Sequence, residues 1–101
     1  METRISKLDD TGTLSLSGRF DFNAHRDFRS GYQSFIEDAA IKQIVIDFSK
    51  VTYLDSSALG MLLLLKQRAD ERKKPVALRN ATDMVRKVLD IANFGRLFQI
   101  S

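Results

Sequence analysis

The sequence predicts an α/β domain in which a mixed β-sheet packs with about three main helices. The run Ile44–Ile46 is β-branched throughout, which is typical of a strand covered on both faces. Two other segments place apolar residues at three- and four-residue intervals, as amphipathic helices do, and a third segment is apolar nearly all round in its first half. Along the chain the segments follow the order β-β-α-β-α-β-α-β, and such alternation predicts parallel strands joined by right-handed crossovers.

Length and composition limit the class of protein. A chain of 101 residues fits one domain, taken here as 1–101, and a content of 44% hydrophobic and 29% charged residues is ordinary for a packed domain. The chain has no cysteine, which excludes disulfides and thiolate metal sites. The sequence does not begin with a charged segment followed by an apolar one, as a secretory signal peptide does, and we therefore expect a cytoplasmic protein.

Neither charge nor hydropathy predicts a nucleic-acid or membrane partner. The net charge is only +3, and the densest basic cluster, residues 66–74, is interrupted by Asp70 and Glu71. That cluster contains no aromatic residue that could stack on a base. The apolar run Leu59–Leu65 is far shorter than the roughly 20 residues that span a bilayer. We therefore expect a buried helix there, no nucleic-acid binding and no direct membrane insertion.

The first half of the chain predicts a hairpin, a helix and a buried strand. The hairpin consists of two short strands, at residues 5–8 and 13–18. Asn23 is the expected N-cap of a helix that runs to about Asp38. The apolar stripe of this helix consists of Phe28, Tyr32, Phe35, Ile36 and Ala39. The next strand is predicted at residues 41–48.

The second half predicts two further helices and two further strands. The second helix covers residues 57–72, with a buried apolar first half and a solvated charged second half. A strand at 75–79 follows, and Thr82 caps a third helix. The apolar stripe of the third helix consists of Val85, Val88, Leu89 and Ala92. Gly95 fits the left-handed position after this helix, and residues 97–100 form a last strand or a docking tail.

The junction between the third strand and the second helix is the candidate functional site. Asp55–Ser57 occupies a helix start, where Ser and Asp oxygens accept bonds from backbone N–H groups that lack partners. Gly60 costs the helix about 1 kcal/mol relative to Ala, so another reason selects it, such as close approach of another backbone. In open α/β sheets, functional residues lie at the carboxyl ends of the parallel strands, and we expect Asp21, Asp47 and this turn to converge there.

Catalysis is poorly supported at this junction. A serine nucleophile needs a base and an oxyanion hole. The only histidine, His25, lies at a polar helix start, and the Gly-x-Ser-x-Gly elbow is missing. The chain has no glycine-rich nucleotide-binding loop, and its scattered carboxylates are weak candidates for metal ligands. We therefore expect a protein that is not an enzyme and that holds no cofactor and no metal.

Modification is better supported than catalysis. A kinase can reach a serine at a helix start, and a phosphate adds about −1.5 to −2 charge units there. The partial positive charge and free N–H groups of the helix start tolerate that charge, so the fold need not change while the face presented to a partner does. From the pattern alone, plain capping by Asp55–Ser57 is the simpler explanation, and both remain open. Asp21 reads equally as a turn residue or cap, and Asp47 as a hydrogen-bond anchor for the following loop.

The same junction carries a family resemblance. Ile44–Ser49 followed by Val51–Gly60 resembles the signature of STAS domains, the family of bacterial anti-sigma factor antagonists. In that signature a hydrophobic strand ends in Asp, and a loop delivers Asp-Ser-Ser/Thr-Gly/Ala-Leu-Gly at a helix start. Gly18–Asp21 is similar to a second, weaker landmark, Gly-x-apolar-Asp. The resemblance covers residues 14–100, and it departs at Ala58, where many members have Gly.

The resemblance implies a single STAS domain that acts as a phosphorylation-switched binding protein. It implies that Ser56 receives the phosphate, with Ser57 as the fallback. It places partner contacts at Asp21, Asp55, Ser56, Ser57, Ala58 and Gly60. The unphosphorylated form would bind an anti-sigma factor or a switch-protein serine kinase with a histidine-kinase-like ATPase domain. Phosphorylation would end binding, and a PP2C-type serine phosphatase would restore it.

Three alternatives stay open. The first is a non-switching STAS subunit of a larger assembly, such as a transport complex, whose serine is never modified. The second is a receiver-like domain phosphorylated on Asp47 or Asp55, which is disfavoured because no acidic pair follows the first strand to hold Mg²⁺. The third is a hydrolase that uses Ser56.

Overall fold

The five strands lie side by side in the order in which they occur in the chain. The computed structural model describes residues 1–101. Its elements are β1 (Glu2–Leu8), β2 (Thr11–Phe20), α1 (His25–Glu37), β3 (Gln43–Leu54), α2 (Ser56–Glu71), β4 (Val76–Arg79), α3 (Asp83–Ile91) and β5 (Gln99–Ile100), with 3₁₀ turns at Phe22–Ala24 and Phe94–Arg96. β1 pairs antiparallel with β2, and all other neighbours are parallel. The predicted mixed α/β fold is confirmed.

All three helices pack on one face of the sheet. Leu14 and Leu16 of β2 and Ile44, Ile46 and Phe48 of β3 are at most 1% exposed and belong to a single cluster of 25 buried residues. Buried side chains of all three helices belong to the same cluster. The alternate positions of β2 are threonine and serine and stay partly exposed. Because strand side chains alternate between faces, the other face of the sheet is mostly polar and partly exposed, with Val45 of β3 buried on it.

β3 runs six residues further than predicted. The expected strand ended at Phe48, whereas the structure continues it to Leu54. The cause is two register shifts against β2, at which β3 carries an extra residue each time. The buried positions after Phe48 are therefore Val51 and Leu54, at intervals of three residues where a regular strand has two. That spacing hides the strand from a search for simple alternation.

The start and end of α1 also differ from the prediction. Asp21, not Asn23, caps the first turn, because its carboxylate accepts the backbone N–H of Asn23 at 3.0 Å. The turn that follows is 3₁₀, and α1 itself begins at His25. The helix ends at Glu37, so Ala39, which was predicted to belong to its apolar stripe, lies outside the helix and is exposed.

The chain after α3 reverses through an asparagine. Gly95 was expected at the left-handed position, but the residue with positive φ is Asn93, at 60°, and Gly95 lies inside the second 3₁₀ turn. Asparagine is the non-glycine residue that tolerates this conformation best, since its short polar side chain bonds locally. The last strand is also shorter than predicted, at Gln99–Ile100.

Lys74 joins the ends of α1 and α2. It is 8% exposed, and its Nζ donates to the carbonyl oxygens of Phe35 at 2.7 Å, Ile36 at 2.9 Å and Asp38 at 2.9 Å. The last carbonyls of a helix have no partner within the helix, and a cation there also meets the negative end of the helix dipole. The side chain of Lys74 thus supplies hydrogen-bond donors to three carbonyl groups at the C-terminal end of α1.

Candidate functional site

The predicted site lies where β2 and β3 end together. Phe20 is paired with Leu54, and the backbone N–H of Asp55 donates to the carbonyl of Phe20 at 3.4 Å. Asp21 and Asp55 therefore follow the last paired residues of two adjacent parallel strands. The expectation that these two carboxylates lie at one edge of the sheet is confirmed.

Asp55 is the cap of α2. Its backbone is extended, with φ −117° and ψ −176°, and its carboxylate accepts the backbone N–H of Ala58 at 3.1 Å. Ser56 and Ser57 are then the first two residues of the helix, Ser56 exposed and Ser57 half-buried. Ala58 is 0% exposed and fixes the helix start in the core. The capping explanation holds for Asp55 and leaves the two serine hydroxyls without that role.

Asp21 is held on two sides. One carboxylate oxygen accepts the N–H of Asn23, and the other lies 3.6 Å from Nε of Arg19. The guanidinium of Arg19 in turn lies over the ring of Tyr53, 4.1 Å from its centroid. The side chain of Asp21 is 21% exposed, so it presents little surface and its charge is partly offset by Arg19. Asp21 is therefore a fixed acidic edge of the site.

Asp47 does not join the site, contrary to the prediction. It pairs with Ser15 in the middle of the sheet, and Leu54 follows it seven positions later along β3, on the order of 20 Å away. Burial raises the pKa of its carboxyl, but hydrogen bonds from Ser49, Asn80 and Ser15 outweigh burial and hold the pKa below its usual range. The expected anchor role is confirmed by the bond from the backbone N–H of Ser49.

Gly60 lies one turn after Ser56 on the exposed side of α2. A Cβ added at this glycine would meet nothing within 4 Å. The space that a side chain would occupy here is empty, so packing within the chain does not account for the glycine.

Two exposed apolar residues near this site were not predicted. Phe22 is 71% exposed in the 3₁₀ turn that packs against α2, and Leu63 is 43% exposed on α2 itself. Sequence reasoning assigned Leu63 to a buried stretch because the first half of the helix is apolar nearly all round. The sequence does place Phe22, a large apolar residue, directly after Asp21, and this position in a turn could have predicted an exposed apolar side chain near the site.

The chemistry that the site can support is limited. His25, at the start of α1, is exposed and lines a small cleft between α1 and α2 with Phe28 and Met61, and neither Ser56 nor Ser57 lines this cleft. No three His, Cys, Asp or Glu side chains lie close enough together to hold a metal ion. None of the helices combines the length and the apolar character that crossing a membrane requires.

Comparison with known proteins identifies the class of protein. The family model described as "Mlab, STAS domain" matches residues 3–99, so the chain belongs to the STAS-domain family, and the resemblance found in the sequence is confirmed. A STAS-domain containing protein of Pseudomonas aeruginosa (strain UCBPP-PA14) is 50% identical over 91 residues, which cover 88% of this chain and 86% of that protein.

Solved structures share the fold at low sequence identity. The unphosphorylated form of the anti-sigma factor antagonist SpoIIAA has a TM-score of 0.82 at 22% identity, covering 99% of this chain and 88% of that one. The phosphorylated form of the Bacillus cell fate determinant SpoIIAA has a TM-score of 0.75 at 21% identity, covering 99% and 91%. These two similarities establish the fold.

Proposed function

We propose that this STAS domain is a phosphorylation-switched regulatory binding protein of the anti-sigma factor antagonist type. The unphosphorylated form binds an anti-sigma factor or a switch-protein serine kinase with a histidine-kinase-like ATPase domain. Phosphorylation of Ser56 ends binding, and a PP2C-type serine phosphatase restores it. The observation that carries the proposal is that Ser56, the first residue of α2, is exposed, while Asp55 already supplies the cap.

The geometry favours a switch that leaves the fold in place. α2 is 16 residues long, and a phosphate at its N-terminus meets free N–H groups and the positive end of the helix dipole. Ala58 anchors the helix start in the core, and the carboxylate of Asp55 keeps its bond to the N–H of Ala58. Both forms of SpoIIAA share the fold of this chain, which agrees with a modification that does not rearrange the scaffold.

The effect of the phosphate falls on the partner. A group of about −1.5 to −2 charge units would join the carboxylates of Asp55 and Asp21 at one edge of the sheet. A counter-surface that is apolar or acidic then has to desolvate or oppose this charge, which costs binding free energy. Ser56 is the preferred acceptor over Ser57 because Ser57 is half-buried against the chain.

Binding measurements with charge variants test the switch. Each purified anti-sigma factor and switch kinase of the source genome is titrated by calorimetry with wild type, Ser56→Ala and Ser56→Asp. Ser56→Ala keeps the wild-type affinity for the cognate partner, and Ser56→Asp weakens it by at least about 100-fold. Ser30→Asp is the matched control, since Ser30 is exposed on α1. Equal affinities of Ser56→Asp and Ser30→Asp would reject the switch.

Phosphate mapping separates the switch from two of the alternatives. Incubation with the bound kinase and ATP is expected to give an acid-stable phosphate that mass spectrometry maps to Ser56 and that Ser56→Ala lacks. A phosphate that is lost in acid and maps to Asp47 or Asp55 would support a receiver-like domain. A chain that no kinase modifies and that co-purifies with a membrane complex would support the transport-subunit alternative.

A further inference from the structure

The first strand leaves one side of its backbone without partners. β1 is the outermost strand of the sheet and pairs only with β2, along seven residues that include no bulge and no proline. All seven residues are exposed, and none of the backbone hydrogen bonds outside the helices and strands involves them. The N–H and C=O groups on the side of β1 that faces away from β2, here called the β1 edge, are therefore free to pair with another strand.

The other outermost strand is a poorer template. β5 has only two residues, and a very short edge strand is one of the ways in which proteins prevent unwanted strand pairing. β1 is long enough for a regular ladder, and its start is held in place because Met1 packs against the core cluster. The β1 edge is therefore the candidate for pairing between chains.

Two opposite charges stand along the β1 edge without partners in the chain. Glu2 pairs with Ser17 and Arg4 with Ser15, so both side chains lie on the face of the sheet that bears no helix. The four ion pairs of the chain include neither Glu2 nor Arg4. A carboxylate and a guanidinium are thus available, two residues apart on one face, to a strand that adds to this edge.

The core also ends at this edge with an apolar side chain in solvent. Ile5 pairs with the buried Leu14 on the face that bears the helices, yet it is 46% exposed. Met1 has the same parity as Ile5 and is half-buried on that face. An added strand that placed an apolar residue opposite Ile5 would extend the core beyond β1.

A second copy of the chain supplies both complements. Two β1 strands can run antiparallel about a two-fold axis perpendicular to the sheet, so that residue i faces j and residue j faces i. Both copies then turn the same face upward, and facing residues are both even or both odd in number. With the axis at Thr3, Glu2 of each copy faces Arg4 of the other, and Met1 faces Ile5.

The neighbouring registers lack this complementarity. An axis at Arg4 or at Glu2 sets two like charges directly opposite each other, which destabilises a strand pair. An axis at Ile5 sets Glu2 against Leu8 and leaves the carboxylate without a partner. Among the registers centred on residues 2–6, only the axis at Thr3 pairs a carboxylate with a guanidinium.

We propose that this chain forms a symmetric dimer by antiparallel pairing of residues 1–5 of two β1 strands, centred at Thr3. The two five-stranded sheets become one continuous sheet. Pairing along so short a segment buries less than the roughly 1,200–2,000 Å² of a standard stable interface, so the dimer is weak and depends on concentration. It does not depend on the proposed phosphorylation switch.

Charge reversal at the two facing positions tests the dimer. Sedimentation equilibrium from about 10 μM to 1 mM is expected to show the wild-type mass rising from monomer towards dimer. Glu2→Arg and Arg4→Glu each set like charges opposite each other and are expected to weaken dimerisation by at least about 10-fold. An equimolar mixture of these two variants is expected to dimerise as wild type does, because every guanidinium then faces a carboxylate.

Matched controls separate the facing positions from net charge. Glu71→Arg and Lys87→Glu make the same changes of net charge at exposed positions on α2 and α3. Each is expected to dimerise as wild type does. Melting temperatures at the lowest concentration, where all variants are monomers, are expected to agree and so show that each variant is folded.

Several results would overturn the dimer. A wild type that stays monomeric up to about 1 mM would reject self-pairing of β1. Dimerisation that Glu2→Arg leaves unchanged, or a variant mixture that stays monomeric, would reject the register. Deuterium exchange gives an independent location, since alternate amides of residues 1–5 are expected to exchange more slowly in the dimer. Slowed exchange confined to another surface would assign the self-association elsewhere and reject the proposal.

Discussion

Replacing Lys74 by methionine tests how the end of α1 is stabilised. The substitution keeps most of the apolar stem and removes an ammonium that donates to three carbonyl oxygens, at 2.7, 2.9 and 2.9 Å. A hydrogen bond to a charged group contributes about 1.5–3 kcal/mol, so three of them set an upper limit of about 9 kcal/mol. Desolvation of the ammonium and the return of water to the helix end oppose this limit. We expect a net loss of about 3 kcal/mol.

That loss is large for a domain of this size. A chain of 101 residues has a free energy of unfolding of about 5–15 kcal/mol, and a loss of 3 kcal/mol lowers its Tm by about 12–24 °C. Urea unfolding at pH 7, followed by circular dichroism, measures the free energy directly. Lys87→Met is the control, because Lys87 is exposed on α3. A Lys74→Met variant as stable as Lys87→Met would refute the assignment of a stabilising role to these bonds.

Three further predictions concern single side chains. The pKa of Asp47 is depressed in the folded state, so its contribution to stability is full above the unfolded value of about 3.9 and is lost as the pH falls through the folded pKa. The difference in urea midpoint between wild type and Asp47→Asn should shrink below about pH 4, and a constant difference would contradict the assignment. A Cβ at Gly12 would lie 2.6 Å from the ring of Phe35, so Gly12→Ala should cost about 1–3 kcal/mol, and an unchanged melting temperature would show that the ring moves freely. Asp55→Ala should lose about 1 kcal/mol with the helix cap, whereas Asp55→Asn should keep most of it, and equal melting temperatures for the two would exclude the cap.

The sequence was sufficient for the order of elements and for the placement of Asp55, Ser56 and Ser57 at a helix start. The apolar run Ile44–Ile46 and the helical stripes depend on local periodicity, which survives in a single sequence. Asp55 and its two serines were placed correctly at a helix start because capping is a local interaction. Agreement is therefore best where a residue's structure depends on its near neighbours in the chain.

The errors come from interactions between residues that are far apart in the sequence. The two register shifts belong to the pairing of β3 with β2, and the spacing of Val51 and Leu54 has no meaning before that pairing is known. The misplaced Asp47 follows from the same error, since ending the strand at Phe48 put its carboxylate at the edge of the sheet. The exposure of Leu63 depends on which side of α2 meets the core, and an apolar run on all sides does not reveal it.

The extra length of β3 has a consequence for local opening of the domain. β4 ends opposite Asp47, so the remainder of β3 up to Leu54 is bonded to β2 alone among the strands. The turn that carries Ser56 thus follows a strand segment that is held by the β2–β3 hydrogen bonds alone. We expect the backbone amides of this segment to exchange with solvent deuterium without unfolding of the central sheet. Occupancy of the site by a partner would close this route, which makes slowed exchange at Tyr53 and Leu54 a reporter of docking that requires no substitution.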